Sequence, residues 1–133
     1  MRKISTMSKE IKLNKNTMIV SETNEKGMII YANDDFCTIA GYSKDELIGK
    51  PHNLVRHEDM PKVAFEDLWK TIKAGKIWKG IVKNKTKNGD FYWVNATAYP
   101  SKTKEGKIRY ISVRVRPTDK EIEHAIKLYK TMN

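Results

Sequence analysis

A chain of 133 residues holds one folded domain with a real core and is too short for two. Its 26 Lys and Arg against 16 Asp and Glu leave a net charge of +10, with 39% hydrophobic residues, the balance of a soluble fold that meets anionic partners readily, whether nucleic acid, lipid surface or phosphate-bearing ligand. A single cysteine, Cys37, excludes an internal disulfide; no stretch approaches the roughly 18 apolar residues of a membrane span; and the basic N-terminus lacks the apolar core of an export signal.

In chain order, residues 1–16 read as a lysine-rich lead, with Met7 as a second available start. The run "TMIVSETNEKGMIIYAN" predicts a strand, a turn at Asn24 to Gly27 and a second strand through Met28 to Tyr31. A short helix follows from about Asp34, closed by Gly41, and Ser43 opens another, its Ser-x-x-Glu spacing to Glu46 forming a capping box. After Pro61 comes a longer helix with Phe65, Leu68, Trp69 and Ile72 on one stripe, ended near Gly75 and with Asp59 available to cap it. From Trp78 the period becomes two. Asn88-Gly89 and the turn at Lys104 to Gly106 separate three antiparallel strands, the last alternating Ile111, Val113 and Val115 with polar neighbours. Pro117 ends it, and Thr118-x-x-Glu121 starts a C-terminal helix with Ile122, Ile126 and Tyr129 on one side.

This order predicts an α+β fold: a five-stranded antiparallel sheet with helices on one face, enclosing a cavity, plus an N-terminal lead and a C-terminal helix. The expected divisions are 1–16 for the lead, 17–117 for the domain and 118–133 for a terminal signalling or linker helix.

The histidines concentrate in "HNLVRHEDMP", where His52 and His57 are two of only three. Their spacing does not stack two ligands on one helix face, so metal is a weak reading. The run leads into a helix N-terminus, whose partial positive charge and free donors favour anions. It reads either as a solvated loop or as a phosphate-binding one. Phe65, Trp69 and Trp78 read as core or as walls for a flat apolar ligand, the two tryptophans facing each other across the cavity. Asn84 and Asn95 lie in strands that disfavour amides, and are either exposed at an edge or turned inward to hydrogen bond a ligand. Asn33 reads as a turn or helix cap. Lys79, Lys83, Lys85 and Lys87 read as solvent-facing charges that protect a sheet edge. Nucleic-acid binding would add exposed aromatics to such a patch, and here the aromatics are committed inward. No nucleic-acid partner is expected.

The pieces "GKPHNLVRHEDMP", "FEDLWKTIKAGKIWKG" and "VKNKTKNGDFYWVNA", with "NDDFCTIAGYSKDELIG" between the early strands and the loop, resemble the FAD-binding PAS sensor of bacterial aerotaxis and energy-taxis receptors over about residues 17 to 117. The resemblance implies a PAS fold, a noncovalently bound FAD whose redox state reports on electron transport, and no enzymatic activity. Carried onto this sequence, the cofactor-binding set is Asn33, His52, Arg56, His57, Asp59, Phe65, Trp69, Trp78, Asn84 and Trp93. Arg56 and His57 would meet phosphate or ribose, Asp59 would hold the loop by capping or by pairing with Arg56, and Asn84 would meet the flavin edge. The family usually has Pro after Arg-His, where Glu58 stands here. The implied partner is a membrane chemotaxis transducer or its signalling module, or a second copy through the terminal helices, with the domain cytoplasmic beside a membrane-bound receptor. An Asn-Cys-Arg-like motif for light-driven thiol chemistry is absent, and the long helix carries no histidine for haem. A PAS interaction module with another ligand or none, and a flavoenzyme, stand as alternatives.

Overall fold

Five strands, β1 (Ile19–Thr23), β2 (Ile29–Ala32), β3 (Trp78–Lys85), β4 (Phe91–Lys102) and β5 (Ile108–Val115), form one antiparallel sheet in the order β2-β1-β5-β4-β3 in the computed structural model, which describes residues 8–132. Residues 1–7 of the predicted lead and Asn133 lie outside the described residues. The hairpin turns fall where the sequence marked them. Gly89 and Gly106 take positive φ there, and Gly27 does so between β1 and β2.

Side-chain chemistry sets the helix ends. In α1 (Asp34–Ala40) the Asn33 Oδ1 accepts from the Phe36 N–H and Gly41 closes the helix in the left-handed conformation. Reciprocal capping boxes open α2 (Lys44–Leu47) from Ser43 and Glu46, and α4 (Asp119–Lys130) from Thr118 and Glu121. The long helix α3 (Lys62–Lys73) starts differently. Pro61 is its N-cap and makes no side-chain bond, so Asp59 is not its cap.

Helices α1 to α3 cover one face of the sheet and α4 the other. Strand parity shows which residues face which way: Trp78, Gly80, Val82 and Asn84 of β3 stand opposite Ala98, Ala96, Val94 and Tyr92 of β4. That face meets Phe36, Leu47, Val55 and Ile72, all 2% exposed or less. On the reverse face, Asn95 donates to Glu121 at 3.2 Å and the Tyr129 hydroxyl donates to the Ile81 carbonyl, fixing α4 across β3 and β4. The α4 seam runs through Ala125 and Tyr129, while Ile126, expected on it, is exposed. A small residue lets the helix backbone approach the strands, which swings its neighbour outward.

Candidate functional site

Between the inner sheet face and α3 lies a cavity of about 210 Å³. Its walls are apolar where Val82, Ala96 and Ala98 form the sheet side and Phe65, Leu68, Trp69 and Ile72 the helix side. Two alanines at alternate positions leave a flat floor. Gly27 lines the mouth with its positive φ, and a Cβ there would stand 3.3 Å from the Trp69 ring, so the β1–β2 turn closes directly on that indole. Trp69 in turn meets Tyr110 edge to face at 5.5 Å.

The other end is polar. Arg114, 3% exposed, donates from Nη2 to Ser21 Oγ at 2.9 Å and from Nη1 to Ser112 Oγ at 3.0 Å, and Nη1 also meets His52 Nε2 at 3.0 Å. A guanidinium only donates, so His52 Nε2 accepts, which fixes the imidazole as its neutral Nδ1–H tautomer. Burial, reinforced by the charges of Arg114 and Arg56, pushes the His52 pKa down to about 3. Its ring stacks on Phe36 at 5.8 Å. Burial also brings Arg114 down to about 10, which still leaves it charged at neutral pH, and raises the Tyr92 phenol to about 12 against the opposing charge of Arg114.

Several donors here end without partners. Among the described residues, the Arg114 Nε, the Arg56 Nε and the Tyr92 hydroxyl are buried and have no hydrogen-bond partner. Asn84, 4% exposed, lines the cavity, and its side-chain amide lies beside Tyr92 with no hydrogen bond of ordinary geometry among the described residues. Buried polar groups are seldom left so in a finished core. The cavity thus presents unpaired polar atoms at one end and apolar walls elsewhere.

Of the residues expected from the sequence, His52, Arg56, Phe65, Trp69 and Asn84 line this cavity. Arg56 lies 4.1 Å over the Phe65 ring, and burial lowers its pKa. The others sit elsewhere. Asn33 spends its amide on the backbone, accepting from Val20 and Phe36 at 3.0 and 3.1 Å and donating to Met18 at 2.8 Å, clamping α1 to β1. His57 packs edge-on to Phe91, and its Nδ1 accepts from the Asp59 N–H at 3.0 Å. Asp59 pairs with Lys83 at 2.7 Å and not with Arg56. Trp78 shares the inner face yet does not oppose Trp69 across the cavity. It leans against Gly80 and donates from Nε1 to Asp67 of α3 at 2.9 Å, closing one end of the helix–sheet interface. Trp93 pairs with Lys83 in register and belongs to the reverse face, because period two puts it opposite Tyr92 and Val94.

The charged loop has a structural task at the sheet edge. Arg56 bridges to the backbone of Asn84, the His57 N–H donates to the Lys83 carbonyl, and Glu58 pairs with Lys85. β3 is an edge strand, and this loop covers it. Lys83, expected in solvent, is instead held over Phe91 at 4.5 Å with its side chain 15% exposed.

Sequence reading missed Ser21, Thr23, Tyr110, Ser112 and Arg114. The signal was present in β5: Tyr110, Ser112 and Arg114 share one parity, and that parity faces inward, while Ile111 and Val113 belong to the other.

A family model described as the PAS fold matches residues 29–129. Over 118 residues, 88% of this chain and 23% of the relative, the sequence is 52% identical to the aerotaxis receptor of Escherichia coli (strain K12). It is 27% identical over 94 residues to a nitrogen fixation regulatory protein of Klebsiella oxytoca, covering 71% of this chain and 19% of that one. The chain therefore spans about a quarter or less of these relatives. Among solved structures, a light-oxygen-voltage domain studied with a flavin analogue superposes with a TM-score of 0.72 at 18% identity, over 87% of this chain and 89% of that chain. The light-state LOV domain of the photoreceptor Aureochrome1 gives 0.69 at 19% identity, over 85% and 88%. At such identities these structures share the fold with this chain, and nothing more is carried over from them.

Proposed function

The chain belongs to the PAS family, and from that premise we propose that it is a sensor domain for taxis whose cavity holds a flavin, FAD, and reports the flavin's redox state to a chemotaxis transducer. The observation that carries this reading is the cavity's division into flat apolar walls and one polar end with unpaired donors. A flavin ring system is a flat slab with acceptors along one edge and fits that division. The 52% identity to an aerotaxis receptor supports the sensory role. A volume of about 210 Å³ suits the ring system and not the whole dinucleotide, so much of the nucleotide portion would lie outside.

Phe65, Leu68 and Trp69 would bury one face of the ring and Ala96 and Ala98 the other, while Asn84 offers both a donor and an acceptor to its edge. When bound, the flavin supplies reversible uptake of electrons. His52 is poorly placed as a general base, since Nε2 is engaged by Ser21 and Arg114. This favours a sensor over an enzyme. Output follows from geometry. The inner faces of β3 and β4 line the cavity, and their reverse faces hold α4 through Asn95–Glu121 and Tyr129–Ile81. A shift of Asn84 is thus felt at α4, which would engage a membrane-bound transducer on its cytoplasmic side or a second copy of the chain. Signalling requires a partner to bind the two redox states with different affinity.

The test is the absorbance spectrum of the purified protein, followed by identification of what heat releases. Paired near-ultraviolet and blue bands with FAD released support the reading. A preparation that stays colourless after refolding with excess FAD overturns it.

A further inference from the structure

Arg114 is a charge without a counter-charge. It is 3% exposed, and among the described residues no carboxylate lies within ion-pair distance. Its partners are the neutral Ser21, Ser112 and His52, with the Phe36 ring face 4.8 Å from Cζ, and its Nε is unpaired. The other charged side chains that line the cavity are the basic Arg56 and Lys26, and the nearby Tyr92 phenol keeps its proton at neutral pH, so none of them supplies a negative charge. Burying an isolated guanidinium is strongly unfavourable, and proteins that need only hydrogen bonds at such a place use neutral groups. The cavity that Arg114 lines is where its compensating charge would stand.

Resting on the flavin reading above, we propose that Arg114 is the counter-charge for the negative charge a flavin acquires in this cavity on reduction, and that it thereby sets the potential at which the domain switches. The electron comes from an external donor, which is oxidised; the flavin is reduced; Arg114 keeps its protons and its charge throughout. In a low-dielectric cavity a fixed cation favours the more negative partner state and leaves the neutral oxidised state nearly unaffected. Ser21, Ser112 and His52 hold the guanidinium in place and are positioning residues.

The test titrates the flavin-loaded protein with dithionite under anaerobic conditions, comparing wild type with Arg114→Met and Arg114→Lys, and measures flavin affinity in the oxidised state. In Arg114→Met the ratio of reduced to oxidised flavin at a fixed ambient potential falls at least tenfold, about 60 mV for a one-electron couple, because affinity for the reduced flavin falls at least tenfold more than affinity for the oxidised flavin. Arg114→Lys stays near wild type. Should Arg114→Met not fold, Arg114→Gln, polar and uncharged, shows the same fall. An unchanged potential in the uncharged variant overturns the assignment. So does an equal loss of affinity in both redox states, which would mean that Arg114 holds a permanent charge of the ligand. A wild-type protein that takes up no flavin overturns both this inference and the reading beneath it.

Discussion

The Trp78 ring lies against Gly80 so closely that a Cβ at position 80 would stand 2.3 Å from Cη2 of the indole. The indole nitrogen is held by Asp67 at 2.9 Å, so the ring has little freedom to retreat. Gly80→Ala is therefore expected to destabilise the fold by about 1–3 kcal/mol, as overpacking does. Urea denaturation measures it. A variant with an unchanged midpoint would mean that the Trp78–Asp67 bond is dispensable. Gly49, with nothing within 4 Å of a Cβ, has open space but a positive φ, so Gly49→Ala separates backbone strain from crowding.

Asp59 pairs with Lys83 on an exposed loop and does not cap α3. Asp59→Asn should then change stability by less than about 1 kcal/mol, the ordinary range of such a pair, where loss of a helix cap would approach 2 kcal/mol. Thermal melts in low and high salt distinguish the two. The small effect of an exposed ion pair shrinks further as salt screens it.

The missing cap at Asp59 is the exception among the local signals. Turns and caps are local, and Asn88-Gly89, Ser43 with Glu46 and Thr118 with Glu121 all lie where their spacing put them. The stripe Phe65, Leu68, Trp69 and Ile72 was legible for the same reason, and it lines the cavity. The polar wall was not. On β5 the period of two leaves either parity free to face inward, and apolar Ile111 and Val113 made the wrong one attractive. A core can afford Ser112 and Arg114 only if it keeps a cavity, and nothing local in β5 announces one. The placing of Trp78 and Trp93, which do not line the cavity, was ambiguous for a similar reason. A tryptophan in a strand reads alike whether it faces a ligand, a glycine or a helix on the reverse face, and only the register with β4 decides.

His52 links pH to stability. Its folded pKa is pushed down to about 3, whereas the unfolded side chain titrates near 6.5. Between these values the unfolded chain binds the extra proton, so stability is full above about pH 6.5 and is lost as pH falls toward 3. Protonation would also set an N–H at Nε2 against Arg114, breaking the contact at 3.0 Å. His52→Gln, neutral throughout, should lose less stability between pH 7 and pH 4.5. The difference between the two proteins, by urea denaturation at each pH, isolates this group from the carboxylates, which titrate in both. An identical pH slope would show that the imidazole is not held neutral.

Trp69 and Trp93 give opposite expectations from the same substitution. Trp69 lines the cavity beside Gly27 and Tyr110, and Trp93, 8% exposed, lies on the reverse face of the sheet. Trp69→Ala removes a wall of the flavin site. Flavin affinity, followed by fluorescence as apo-protein is titrated, should fall at least tenfold. Trp93→Ala leaves that wall intact and opens a void on the far side, costing about 3–5 kcal/mol of stability, with affinity held within a few-fold wherever the protein remains folded. Asn84→Ala completes the set. Its amide lies beside Tyr92 and makes no hydrogen bond of ordinary geometry among the described residues, so truncation should hardly move the urea midpoint, while loss of a hydrogen bond to the ligand weakens binding about threefold to tenfold. If Trp93→Ala releases flavin and Trp69→Ala does not, the ligand sits on the other face of the sheet and the cavity is not its site.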